Sequence, residues 1–193
     1  GIKPIKPANL ETSKKNKMTF NDLQKINPED IHQNPFTLID DDWFLLTAGK
    51  LESFNTMTAS WGGMGILWNK QVVFCFVRPQ RYTYDFMEKN EFFTMSFFDE
   101  SQRPALNLCG KRSGRQVNKM EATGLKPFES PSKSIFYEQS VLMLECRKLY
   151  YSDINPEHFL VKSIDSNYPK KDYHRMYIGE IISCYSKLPK TGE

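Results

Sequence analysis

Long apolar runs are missing from this chain. The longest unbroken one, Val72-Val73-Phe74-Cys75-Phe76-Val77, falls far short of the roughly 18 to 20 residues a membrane-spanning helix needs, so no transmembrane segment is expected. Cysteine is sparse: Cys75, Cys109, Cys146 and Cys184 lie 34, 37 and 38 residues apart. That spacing excludes the close pairs of a zinc site and the dense disulfide framework of a small secreted chain, and the four are expected to be reduced and mostly buried. Only three histidines occur, His32, His158 and His174, widely separated. They leave little material for a metal site or a Cys-His dyad, and no metal is expected.

The motifs with the clearest catalytic mechanics are also absent. The sequence holds no Gly-x-x-x-x-Gly-Lys-Ser/Thr phosphate loop, no His-Glu-x-x-His, no Gly-x-Ser-x-Gly and no Cys-x-x-Cys. The cluster Gly62-Gly63-Met64-Gly65 is not a dinucleotide fingerprint, because Trp68 stands where its third glycine belongs and the following residues lead into another strand rather than a helix. These glycines are either a loop or bulge between strands or a direct ligand contact. The body of the chain also lacks basic excess. Five lysines against one acid put a net +4 in residues 1–17, so the rest balances to −1 within a total of +3. A basic tail on a near-neutral body argues against nucleic-acid binding.

What is present is ordinary globular material: 193 residues, 39% hydrophobic and 25% charged, enough for one compact domain. Residues 1–18, with Pro4, Pro7 and the five lysines, read as a flexible arm, and residues 19–193 as a single domain. The chain begins with Gly1 rather than Met, which leaves a removed leader or lipid anchor open, and a cytoplasmic location is the expectation. Thr19 followed by Asp22, with Phe20, Leu23 and Ile26, predicts a short capped helix that Asn27-Pro28 ends.

Residues 43–48, 53–59, 71–77, 92–98, 141–149, 159–164 and 176–184 then read as short strands. Helices are predicted at 84–89, around 104–108 and at 116–121. The class is α+β, mainly β, with an antiparallel barrel.

Three segments suit a flat, anionic ligand. Asn55 to Gly63 sets an amide, hydroxyls and the indole of Trp61 at a strand end, where backbone N–H groups can meet a ring edge, or it is a Thr-rich edge strand with Trp61 in the core. Arg78-Pro79-Gln80-Arg81-Tyr82-Thr83 follows the most apolar strand and precedes a helix. Its arginines either bind phosphate together with the helix N-terminus or are solvated. Cys109 to Arg115, with Lys119 beyond it, is either an anion site or a solvated charge run.

Six motifs occur in a fixed order: Asn55-x-Met57-Thr58-x-x-Trp61, Arg78-x-x-Arg81-Tyr82-Thr83, Ser113-Gly114-x-x-x-x-Lys119, Thr123-Gly124-Leu125, Leu144-Glu145-Cys146 in a strand, and His174-x-x-x-x-Gly179-Glu180-Ile181. Over roughly residues 38–184 this series resembles the flavin reductase-like family, in its flavoredoxin branch of FMN-binding split-barrel proteins. The resemblance implies a six-stranded antiparallel Greek-key split barrel with flanking helices, a homodimer, and FMN held noncovalently near the subunit interface. It implies hydride transfer from NADH or NADPH to free flavin or another small acceptor. A flavoredoxin-type electron carrier that binds FMN without efficient NAD(P)H oxidation is the alternative, and a split barrel that has lost its flavin is a third.

Carried over by position, the resemblance assigns Asn55, Thr56, Met57, Thr58, Ala59 and Trp61 to the isoalloxazine. It assigns Arg78, Gln80, Arg81, Tyr82 and Thr83 to the ribityl-phosphate, with Ser113 and the charge of Lys119 beside it. His174 falls near the ring where nicotinamide or acceptor docks, in a role of alignment more than acid catalysis. Trp68 is expected to pack, Cys75 and Cys109 to be structural, and Phe92-Phe93 with Phe97-Phe98 to be core or dimer interface. Residues 150–172, with Pro156 and Pro169, depart from the family pattern by their length.

Overall fold

The computed structural model describes residues 23–187. The arm expected at residues 1–18 and the start of the expected first helix lie outside the described residues. The remainder of that helix is extended instead. Strand β1 (Gln24–Ile26) pairs antiparallel with the last strand, Gln24 opposite Ser186 and Ile26 opposite Cys184, because an open strand edge outweighs a weak helical spacing.

The elements then run α1 (Pro35–Asp40), β2 (Phe44–Lys50), β3 (Ser53–Ala59), β4 (Gly62–Leu67), β5 (Lys70–Val77), α2 (Tyr82–Lys89), β6 (Phe92–Phe97), α3 (Arg103–Lys111), α4 (Lys119–Thr123), β7 (Pro127–Glu129), β8 (Ile135–Tyr137), β9 (Leu142–Asp153) and β10 (Arg175–Ser186). One antiparallel sheet runs β3-β2-β6-β9-β10-β5-β4 with β1 added beside β10, eight strands where the resemblance implies six. Strands β7 and β8 form a separate hairpin. Register shifts at Ile178/Gly179 and Ile181/Ser183 interrupt the long β9-β10 ladder. Such bulges bend strands and increase twist, the device by which a broad sheet curls.

Two further expectations are corrected. Residues 159–164 are not a strand: the chain there leaves the sheet and runs through 3-10 turns at Pro156–His158 and Lys162–Asn167, with Leu160 96% exposed. Its apolar residues resemble a strand in sequence but have no strand edge to join. The glycine cluster, conversely, is neither loop nor bulge. It forms β4, paired to β5 along its whole length and closed by a two-residue turn in which Trp68 (φ 51°) and Asn69 (φ 55°) are both left-handed. Trp68 is therefore more than half exposed at a turn, edge-on to Tyr150, rather than packed in the core.

The helix expected at 116–121 starts later, at Lys119, because the Asn118 side chain caps it by accepting from Met120 N and Glu121 N. Helix α1 was foreshadowed only by Asn34-Pro35, where Asn34 Oδ1 accepts from Phe36 N at 2.9 Å.

The core has two parts that position the site. On one face of the sheet, Phe44, Leu46, Met57, Phe93, Met95 and Phe97 pack with Met87 of α2. On the other, Leu45 packs with Leu106 and Cys109 of α3 and with Tyr137 of β8. Each of these fully buried large side chains contributes about 1.5 to 3 kcal/mol of apolar transfer, enough to fix α2 and α3 against β3 from opposite sides. All four cysteines are buried and free, and Phe93, Phe97 and Phe98 are core.

Candidate functional site

Strand β3 alternates its side chains between these two helices. Thr56 points toward the α3 side, where its hydroxyl lies 2.8 Å from that of Thr47, which in turn lies 3.0 Å from the Tyr137 hydroxyl. This buried chain occupies the Thr56 side chain, while the Thr56 carbonyl accepts from Lys119 at the edge of the neighbouring cleft. Thr58 donates to Leu106 O at 2.5 Å, tying β3 to α3. Met57 belongs to the core and presents one side to a pocket. Asn55 points to α2, donating through Nδ2 to Thr83 Oγ1 at 2.8 Å.

Asn55 therefore joins the Arg78–Thr83 segment rather than the strand end that carries Trp61. Gly114 explains how the loop after α3 can close on it: a Cβ there would stand 2.0 Å from Asn55 Oδ1 and 3.2 Å from the Tyr82 ring.

The predicted residues gather around two pockets that share Arg81 in their linings. The first, about 180 Å³, is lined by Asn55, residues 80–83, residues 110–114 and Lys119. Helix α2 begins here with Arg81 as its N-cap and no side-chain cap, so the first backbone N–H groups of α2 have no side-chain acceptor at the edge of this pocket. Arg81 donates to Cys109 O at a long 3.5 Å, and burial followed by neighbouring Arg78 pulls its guanidinium below the usual arginine range. Lys119 is only 6% exposed and donates to Thr56 O at 2.5 Å and Cys109 O at 3.2 Å, a brace between β3 and α3. Burial pulls its ammonium down to about 8, so it remains mostly charged at neutral pH. Burial in turn pushes the Cys109 thiol up to about 11, against the pull of Lys119 and Arg81, which leaves it unreactive.

The second pocket, about 190 Å³, is lined by residues 57–61, Phe76, Arg78, Arg81 and His174, and Arg81 is common to both. Trp61, 47% exposed, and His174 face each other with ring centroids 5.3 Å apart, and Phe76 meets His174 edge-on at 6.3 Å. Burial, with Arg78 next, pulls the His174 imidazole down to about 4, so it is neutral at physiological pH. Beyond the first pocket a larger cleft of about 610 Å³ opens between residues 51–56, Tyr82, Phe86 and residues 114–120.

Two predicted residues are engaged elsewhere. Arg78 pairs with Asp172 at 3.0 Å, donates to Asn167 O at 3.0 Å and lies 4.8 Å over the Tyr168 ring. Gln80 lines the first pocket but donates through Nε2 to Asp172. Both thus hold the loop of residues 154–173, and Arg78 borders the second pocket rather than the first. Ser113 accepts from Arg115 N at 3.2 Å and turns the loop at the first pocket. Phe76, Tyr168 and Asp172 escaped sequence reasoning. Phe76 carried a signal, the alternation of β5, whereas the other two are brought in only by the path of that loop.

A family model described as flavin reductase like domain matches residues 42–191. The chain belongs to the flavin reductase-like family. No curated protein sequence matches it. Among solved structures it is similar to a flavoredoxin from Methanosarcina acetivorans, 22% identical over 76% of this chain and 68% of that one, with a TM-score of 0.60. It is similar to an FMN-binding protein from Thermus thermophilus solved with bound p-hydroxybenzaldehyde, at 19% identity over 88% and 82%, TM-score 0.63. An NADH:FAD oxidoreductase from Streptomyces globisporus aligns at 14% identity over 75% of each chain, TM-score 0.58. At these identities the structures establish the split-barrel fold, and the family match makes flavin binding and oxidoreduction the expected class of function. No described helix is long and apolar enough to cross a membrane.

Proposed function

We propose that this flavin reductase-like domain binds FMN across the two pockets that share Arg81 and oxidises NADH or NADPH, delivering the electrons to free flavin or another small acceptor. The observation that carries this reading is the division of chemistry between the two pockets that meet at Arg81. One end has Arg81 and an uncapped helix N-terminus, suited to a phosphate dianion. The other has Trp61, Phe76 and His174, suited to a flat conjugated ring. The donor set therefore fits FMN.

Arg81 and the first N–H groups of α2 would hold the phosphate, with Thr83 and Ser113 shaping its seat. Residues 58–61 would line the isoalloxazine edge, and Trp61 and Phe76 would exclude water from it. Bound FMN supplies the hydride chemistry that no side chain here provides. His174, neutral across the physiological range, would orient a partner by hydrogen bonding rather than exchange a proton. Asn55 would act on the phosphate end through Thr83, which revises the ring contact that the resemblance implies.

One observation favours a second reading, the electron carrier: the loop of residues 154–173 is fastened to Arg78 and His174 at the ring end, which would narrow the approach of a nicotinamide. Desalting after incubation with FMN, then adding NADH without oxygen, separates the two. A retained flavin spectrum bleached by NADH is the expected result. A retained spectrum left unchanged by both NADH and NADPH would support the carrier, and no retained flavin would overturn both.

A homodimer belongs to the same reading. Ile66, Trp68, Tyr150 and Tyr151 expose apolar surface at β4, its turn and β9 that a second copy would cover. Light scattering at micromolar concentration should return twice the monomer mass, and a monomer would remove the dimer from the proposal.

A further inference from the structure

The loop between β9 and β10 carries one residue into direct contact with the site. It leaves the sheet after Asp153, is closed at its base by Ile154 N donating to His174 O at 3.0 Å, and returns at Arg175. Within it Tyr168, 3% exposed, sets its hydroxyl 2.8 Å from His174 Nδ1. The Tyr168 ring is held from several sides: Phe159 stacks on it at 6.2 Å, Tyr173 lies at 4.9 Å, and the Arg78 guanidinium covers it at 4.8 Å. Arg78 is itself tied to the loop through Asn167 O and Asp172.

The direction of this hydrogen bond follows from accounting for one proton. A neutral imidazole carries a single N–H, so Nδ1 either donates to the tyrosine oxygen or accepts from it. If it donated, the phenolic hydrogen would need another acceptor, and among the described residues Tyr168 Oη has no second hydrogen-bond partner. A buried hydroxyl left without an acceptor is costly, whereas donation to Nδ1 satisfies both groups. The charged groups around the imidazole are Arg78, Arg81 and Asp172, and the two cations oppose its protonation.

We propose that Tyr168 is a positioning residue that fixes His174 in the Nε2–H tautomer, so that the imidazole serves the ring-end pocket as a neutral hydrogen-bond donor to a carbonyl oxygen of the reaction partner that docks on the flavin ring. This rests on the reading of that pocket as the ring end of a flavin site, but the tautomer itself does not depend on any ligand. A loop outside the barrel thereby sets the polarity of a residue inside the site, and a His174 of the opposite tautomer would present a lone pair where a donor is needed.

The test is long-range proton–nitrogen NMR on the full chain with isotope-labelled histidine, at neutral pH and without flavin. His174 is expected as the Nε2–H tautomer, and Tyr168→Phe is expected to yield a mixture of both tautomers with the backbone spectrum otherwise retained. An Nδ1–H form in the native chain, or a pure Nε2–H form in the variant, would overturn the proposal. If Tyr168→Phe does not fold, the native spectrum still decides the tautomer, and Arg78→Lys, which leaves the hydroxyl in place, should keep it unchanged; a switch there would also count against Tyr168. In flavin-loaded protein, Tyr168→Phe should slow NAD(P)H oxidation about three- to tenfold with FMN affinity unchanged. A chain that retains no flavin would sink the functional reading while leaving the NMR result to judge the tyrosine.

Discussion

The two ends of the cleft are built in different ways. The end proposed for the phosphate is assembled from short contiguous stretches: residues 80–83 start α2, residues 110–114 end α3, and Gly114 lets the second close on Asn55. The ring end begins the same way, with residues 57–61, but is completed by His174 and by a loop whose residues lie about a hundred positions further on, in Tyr168 and Asp172. Under the proposed reading, the first kind of construction seats the phosphate of FMN. The second, under the same reading, would shape the side from which a reaction partner enters, where a change of loop can change function without disturbing the barrel.

The largest test of this contrast is Arg81→Ala. Loss of a charge-assisted contact of about 1.5 to 3 kcal/mol should weaken FMN roughly 10- to 100-fold while riboflavin, which lacks the phosphate, changes little. Fluorescence titration with both ligands measures this, and equal loss for both would remove the phosphate from that end. Lys119 makes the opposite case although it lines the same pocket. Its two carbonyl contacts brace β3 against α3, so Lys119→Met should cost about 2 kcal/mol of stability with no flavin present. An unchanged denaturation midpoint would return Lys119 to a direct role on the phosphate.

How much of this was legible beforehand follows the same division. The strands that carry the site were readable because apolar residues alternate along β2 and β6, as Phe44, Leu46 and Ala48 and as Phe93, Met95 and Phe97, and the ordered motifs named most of the residues that line the two pockets. Side-chain direction along β3 was not resolved by that reading. It separates Thr56, absorbed by Thr47 and Tyr137, from Asn55, turned to Thr83. Arg78 was expected on the phosphate because it sits three residues before Arg81, yet Asp172 and Tyr168 compete for it successfully. Tertiary pairing likewise made a strand of Gln24–Ile26 and left residues 159–164 without one, since a strand needs an edge to join as much as it needs β-branched residues.

His174 gives the next test, in pH. Its folded imidazole resists protonation down to about 4, whereas in the unfolded chain it takes up a proton near its ordinary value of about 6.5. Between those values the unfolded state binds more protons, so stability falls as pH drops from about 6.5 to 4 and is flat with respect to this group above that window. After allowance for partial hydration the effect is about 1 to 2 kcal/mol. Denaturant unfolding of the native chain and of His174→Gln at both pH values measures it, because carboxylates titrate alike in the two proteins. Parallel pH dependence would mean that His174 is hydrated and free to protonate.

The smallest effect expected is at Asp172, and it isolates the loop. Its pair with Arg78 is partly exposed, with side chains 16% and 24% accessible, a setting in which an ion pair contributes about 0.5 kcal/mol. Arg78 keeps Asn167 O and the Tyr168 ring when that charge is removed, so Asp172→Asn should leave the fold and the FMN affinity unchanged. What it loosens is the wall of the ring end alone. Under the reductase reading the Michaelis constant for NAD(P)H should shift about two- to threefold with the maximal rate nearly constant, the signature of altered approach rather than altered chemistry. A change in FMN affinity of that size instead would mean that the two ends of the cleft are mechanically coupled through Gln80, which spans from Asp172 to the first pocket.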